Sequence, residues 1–231
     1  MHPVHFASPP PVPAYLQQDY WWAYVHPRAV HVFEREWLVN LILWGNYSRL
    51  RDQALQALGD PLSGSTLQIA CVYGNLTSRL MQQMTDNARL TVVDILPIQL
   101  DNLARKTRQD ARLVLQHGDA SALPFADGVH DQSLLFFLLH EQPEDVRRAT
   151  LREALRVTRP GGRVVIVDYD LPHRMHPLRP LMQQIFQRLE PFAMDLWQHP
   201  IEDYLPKDLP VTSQRRTTLF GGLYQQLVLE R

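Results

Sequence analysis

Several carboxylates and one histidine stand at spacings that suit a nucleotide-like ligand and proton transfer. Asp94 closes an apolar run and lies 20 residues after Gly74, the separation at which a strand–turn–helix–strand unit sets an acid beside a ribose. Asp119 sits between Gly118 and Ala120, where a short turn could offer it to a heterocyclic amine. Farther along, His140 and Glu141 follow one apolar run, while Asp168, Tyr169 and Asp170 close another. Imidazole, carboxylate and phenol at such places can move protons or polarise an oxygen.

Such residues must be carried to one place by strand ends. Runs at 66–72, 89–94, 112–117, 132–138 and 162–168 are mostly apolar without alternation, as in parallel strands buried on both faces. Helical patterns lie between them at 77–83, 98–110 and 144–157, the last opened by Pro143. Residues 171–206 read as an insertion with one helix at 178–189. The segments 211–218 and 223–230 around Gly221-Gly222 predict a hairpin. Strand, turn, helix and strand ending on Asp94, then Gly118-Asp119-Ala120, then Pro160-Gly161-Gly162 before a buried strand, is the layout of class I S-adenosylmethionine (SAM) enzymes. The expected fold is α/β, a Rossmann-like seven-stranded sheet with an antiparallel edge hairpin and a helical N-terminal cap. Right-handed crossovers would set the strand tips on one side, where the ligand binds.

In that layout Val72, Tyr73, Gly74 and Asn75 form the first cofactor turn. Asp94 with Ile95 would meet the ribose, Asp119 with Ala120 the adenine, and Phe136 the cavity wall. Gly74 could instead serve only a tight turn, and Asp119 could cap its own loop.

Residues 1–14, with Pro3, Pro9, Pro10, Pro11 and Pro13, are expected to form a flexible tail. Residues 15–60 read as the cap and 61–231 as the SAM-binding domain. Val30, Phe33, Trp37, Leu41 and Trp44 recur at steps of three and four, predicting one apolar helix face. That face either packs on the main domain or meets a flat apolar ligand. Hydrophobic residues make up 45% and charged residues 20%, enough for a full core. A net charge of -1 argues against a nucleic-acid partner. The single cysteine, Cys71, excludes an internal disulfide and reads as a small buried hydrophobe. Neither a leader peptide nor a run of 18 apolar residues is evident, which points to a cytosolic protein.

The first turn departs from the usual pattern of an acid followed by three alternating glycines. Gln68, Ala70, Val72 and Gly74 occupy those positions, so the acid and two glycines are missing. The segments 70–74, 136–143, 168–169 and 190–197, with Tyr20-Trp21-Trp22-Ala23-Tyr24 and 37–45, resemble the RquA rhodoquinone-biosynthesis family over residues 15–230. The resemblance implies conversion of ubiquinone to rhodoquinone, a ring methoxy group giving way to an amino group, with SAM as amino donor and manganese assisting. A donor amine must be unprotonated, and an adjacent acid would favour its ammonium form, so Gln68 suits that chemistry.

For proton transfer the candidates are His140, Glu141 and Tyr169; for a metal, His140, Glu141 and Asp168, whose donor types suit manganese. A His-Glu pair can equally cap the following helix. A lipid-tailed quinone needs an apolar entrance, and Tyr20, Trp21, Trp22, Trp44 and Trp197 are the expected lining, with peripheral contact at the cytoplasmic side of the inner membrane. The alternative enzyme reading is a conventional SAM-dependent methyltransferase acting on a quinone-like substrate. A non-catalytic SAM-fold scaffold is the third.

Overall fold

The computed structural model describes residues 11–20, 30, 32–107 and 110–231. Seven strands form one sheet: β1 (Ser65–Ile69), β2 (Arg89–Asp94), β3 (Leu113–His117), β4 (His130–Phe136), β5 (Thr158–Tyr169), β6 (Ser213–Leu219) and β7 (Tyr224–Glu230). Their order is β3-β2-β1-β4-β5-β7-β6. The first five run parallel, and β7 lies antiparallel between β5 and β6. This is the α/β sheet with an antiparallel edge pair that the ordered segments imply.

Successive residues of the central strands serve opposite faces, and both faces are buried. Leu134 and Val165 join one core with Leu50, Ala54 and Leu80, while Leu135, Val164 and Ile166 join another with Leu151 and Leu155. That is why these strands are apolar without alternation. Helices α3 (Tyr47–Leu58) and α4 (Leu76–Gln83) belong to the first layer. Helix α6 (Glu144–Val157) lies in the second.

Several boundaries move for local reasons. β1 stops at Ile69 rather than 72 because Ala70 turns to φ 73, the left-handed region a glycine would occupy. β4 stops at Phe136 because Phe137 takes φ 54. Helix α5 (Pro97–Lys106) ends short of residue 110. The hairpin forms one to two residues later than its pattern suggests.

The cap departs more. Helix α1 (Ala14–Gln18) is short, and α2 (Glu36–Ile42) follows a turn at Glu34. The single apolar face expected over 29–44 is therefore broken. Val30 is buried, but Trp37 and Leu41 are 61% and 63% exposed, and α2 buries no residue fully. The break has a cause: unwinding lets Glu34 accept the Gly74 N–H at 3.3 Å and pair with Lys106 at 2.5 Å. No helix among the described residues is long and apolar enough to cross a membrane.

Candidate functional site

One cavity lies over the C-terminal tips of β1, β2, β4 and β5, covered by the cap and by the insertion between β5 and β6. On one side it is lined by Ala70–Tyr73, Asp94–Leu96 and Gly118–Ala120. On the other, Phe137, His140, Glu141, Tyr169 and Glu190 line it, beneath Tyr15 and Leu16 of α1. Among the described residues its wall carries four acids and no lysine or arginine.

Asp94 anchors the cofactor side. Its Oδ2 accepts the Cys71 N–H at 2.7 Å and its Oδ1 the Leu96 N–H at 2.8 Å. Burial pushes the carboxyl up to about 6, although both hydrogen bonds oppose that shift. Asp94 thus fixes the residue after the strained Ala70, and the Cys71 thiol also hydrogen-bonds its carboxylate. Asp119 accepts the N–H and the hydroxyl of Ser121 on Oδ1, so it closes its own turn while lining the cavity. The Tyr73 hydroxyl accepts from Gln99 at 2.7 Å, and its ring stacks on Phe33 at 5.9 Å.

The other side is built on an imidazole–carboxylate pair. Asp168 is fully buried. Its Oδ1 faces His140 Nδ1 at 2.9 Å and accepts the Tyr169 N–H, while Oδ2 accepts the N–H groups of Leu139 and His140. Burial works against protonation of His140. Asp168 outweighs it, with Glu141 and Glu190 adding, and together they hold the imidazole up at about 9. Burial lifts the Tyr169 phenol well above its ordinary value. Phe137 and His140 stand edge-on to Tyr169 at 5.2 and 4.8 Å.

Of the residues expected at the cofactor, Val72, Tyr73, Asp94, Ile95, Asp119, Ala120 and Phe136 line the cavity. Gly74 and Asn75 do not. Gly74 turns at φ 85 where a Cβ would meet the Tyr47 hydroxyl at 2.7 Å. Asn75 is held behind the turn by Arg51 at 2.6 Å and Glu36 at 2.7 Å. Gln68 also stands behind the wall. It is fully buried, donating to the Ala70 carbonyl and accepting from the Thr77 hydroxyl, so it braces the turn instead of facing a donor amine.

His140, Glu141 and Tyr169 reach the cavity together, but the expected metal set does not converge. Both oxygens of Asp168 are occupied by His140 and backbone N–H groups away from the cavity. No cluster of three or more metal-ligating side chains occurs among the described residues. These donors do not fit a manganese ion.

The expected substrate aromatics are placed elsewhere. Trp197 packs on Phe186, itself behind Tyr169, at ring distances of 5.2 and 4.8 Å. Tyr20 is fully buried beside Glu190. Trp44 donates to the Met182 sulfur at 3.2 Å. Trp21 and Trp22 lie outside the described residues. The aromatic wall is instead Tyr15, Phe33, Tyr73, Phe136, Phe137 and Tyr169. Pattern reading also missed Arg147, a fully buried cation that donates to the carbonyls of Leu139, Gln142 and Phe192. It ties the His140 loop to the insertion.

Comparison with known proteins agrees with this geometry. Residues 66–162 match the methyltransferase-domain family. The chain is 26% identical over 165 residues to demethylmenaquinone methyltransferase of Bacillus licheniformis, covering 71% of this chain and 70% of that protein. The structure of human N-acetylserotonin methyltransferase with SAM aligns at TM-score 0.63 and 15% identity, over 95% of this chain and 60% of that one. N-methyltransferase NodS of Bradyrhizobium japonicum, with S-adenosyl-L-homocysteine, aligns at 0.55 and 14%, over 79% and 85%. Fold and domain match define the class: an enzyme of SAM-methyltransferase type, with the class I sheet.

Proposed function

We propose that this protein binds SAM on the β1–β2 side of the cavity and modifies the ring of a quinone-type substrate held against His140 and Tyr169. The observation that carries this is the single cavity joining the Asp94 turn to the His140–Asp168 pair through aromatic walls. A surplus of acids suits a sulfonium cation, and flat apolar rings suit a flat apolar substrate.

Methyl transfer is the first reading, since the curated relative is a quinone methyltransferase by name. A hydroquinone hydroxyl beside His140 ionises more readily because the imidazolium stabilises the phenolate. Glu141, whose Oε1 is 3.8 Å from His140 Nε2, is placed to take the proton. SAM bound beside it would supply the methyl group to the ring carbon next to the phenolate and leave as S-adenosyl-L-homocysteine; the hydrogen of that carbon would return as a proton to the ring oxygen, and the proton held by Glu141 would pass to solvent. Exchange of a methoxy group for an amino group is the second reading. Val72, at a position where a glycine usually lets the cofactor approach, and Tyr73 beside it both line the cavity and favour it along with the sequence resemblance. It does not draw on Gln68, which faces away, nor on manganese, which the donors do not fit.

A lipid tail would leave beside α2. Ile42 lines the cavity and is 44% exposed, next to exposed Trp37 and Leu41, so these residues offer a peripheral contact with the cytoplasmic face of the inner membrane.

Incubation with SAM and a short-tailed hydroquinone, followed by product mass analysis, tests the proposal. Methyl transfer predicts one added methyl group; amino exchange predicts nitrogen in place of methoxy. SAM binding with no product from any quinone or hydroquinone would reduce the protein to a scaffold.

A further inference from the structure

Ten large apolar side chains stand exposed among the described residues, and eight of them fall in two stretches. Four lie within 32–42, among them Trp37 and Leu41. The other four, Leu171, Met175, Leu181 and Leu189, belong to the insertion, in the loop after β5 and along helix α7 (Arg179–Leu189). Single exposed leucines need no explanation, but a cluster does. The two stretches meet, since Trp44, just past α2, donates to the sulfur of Met182 in α7. Each also borders the cavity, α2 through Ile42 and α7 through Glu190 at its end.

Helix α7 spends only one face on the core. Met182 and Phe186, four residues apart, are buried there. Leu181, Ile185 and Leu189, also at steps of four, run beside that face, with Ile185 half-buried and the outer two exposed. Arg188 follows Leu181 by seven residues and so shares its side of the helix.

The charge of the insertion is one-sided. Residues 171–189 hold three arginines, two histidines and no acid. The flanking acids are withdrawn: Asp170 is buried against Arg216, and Glu190 lines the cavity. On α6, by contrast, Arg148, Arg152 and Arg156 pair with Glu144, Asp208 and Asp127. Arg174, Arg179 and Arg188 pair with no carboxylate among the described residues. Arg174 and Arg188 are exposed, and Arg179 is half-buried with one N–H on the Pro172 carbonyl.

Exposed leucines beside unpaired arginines call for a partner that is apolar and negatively charged at once. A bilayer with anionic headgroups is both, taking apolar side chains at its acyl boundary and guanidinium groups at its phosphates. A second copy of the chain would set arginine against arginine across a two-fold axis. We infer that α7 and the loop before it, with α2 alongside, form a docking surface for anionic phospholipid bilayers. The inference rests on the peripheral contact proposed for α2, and it adds the insertion and the sign of the lipid charge.

The test is co-sedimentation of the full-length protein with phosphatidylcholine vesicles, alone or mixed with phosphatidylglycerol. Mixed vesicles should bind about tenfold more tightly or better, an excess that high salt removes. Arg174→Gln with Arg188→Gln should take away most of that excess, about fivefold for each charge, and leave binding to phosphatidylcholine alone as it was. Leu181→Ser with Leu189→Ser should weaken binding to both kinds of vesicle. All four positions are exposed, so melting temperature and S-adenosyl-L-homocysteine affinity should stay at the parent values. Equal binding of the parent to both vesicles overturns the inference, as does an arginine variant that keeps the preference. A leucine variant that binds like the parent also overturns it; if Trp37→Ser alone then weakens binding, the contact is confined to α2 and the earlier reading stands. Binding to neither vesicle sinks both. A parent dimer that the leucine variant turns into a monomer, seen by sedimentation velocity, gives this face to a second copy instead.

Discussion

Asp94 shows how one side chain can serve fold and ligand together. Its oxygens hold the N–H groups of Cys71 and Leu96, so the turn around the cofactor is set before any ligand arrives. Replacing Asp94 by Asn should weaken SAM binding by about 1.5–3 kcal/mol, the range for hydrogen bonds to a charged group, as titration calorimetry would show. The carboxyl ionises near 6. SAM affinity should hold above that pH and fall as the pH drops through it, because the protonated acid accepts hydrogen bonds poorly. Equal affinity at pH 5 and 8 would place the ribose elsewhere. At this scale the residues legible in the chain were those whose chemistry is tied to a strand end, namely Asp94, Asp119, His140 and Glu141. Glu190, Gln99 and Tyr15 were not legible, because helices and loops far apart in sequence bring them to the cavity. Gln68 misled for a related reason. A residue next to a cofactor motif alternates in and out of the wall, and only the fold decides its side.

Among the elements, the β1 turn carries the clearest stored cost. Ala70 keeps the glycine-like φ of 73 without being glycine, at roughly 1–2 kcal/mol. It is held there by its N–H donating to the Val93 carbonyl and by Gln68 on its own carbonyl. Ala70→Gly relieves that strain but gives the unfolded chain more freedom, an opposing effect of about 0.4–1 kcal/mol. The net expectation is a modest rise in stability, read as a higher denaturation midpoint with unchanged slope. A lower midpoint would show that the turn is not strained. The sheet itself was legible almost strand by strand, since burial on both faces leaves uninterrupted apolar runs. The cap was not. Periodicity assumes an unbroken helix, and two carboxylates drawn to the cofactor turn break this one.

The whole molecule is a sheet covered on its ligand side by two sequence-distant pieces, the N-terminal segments and the insertion. Pro13, Tyr15 and Leu16 roof the cavity without contributing to the sheet. Removing residues 1–18 should therefore leave a cooperatively folding domain that binds SAM yet turns over a quinone poorly. A melting curve and calorimetry on the truncated chain would check this; loss of SAM binding would make α1 part of the cofactor site.

The stretch 32–42 has two aspects. Through Glu34 and Glu36 it grips Gly74 and Asn75, and through Trp37 and Leu41 it faces outward. Energetic coupling between two sites is reciprocal. Any surface that orders this stretch by taking up its outer side chains tightens the glycine turn by some factor, and a ligand on that turn must strengthen adhesion to the surface by the same factor. Loading with cofactor and arrival at a lipid interface would then be one linked equilibrium, so that the empty protein lets go more readily than the charged one.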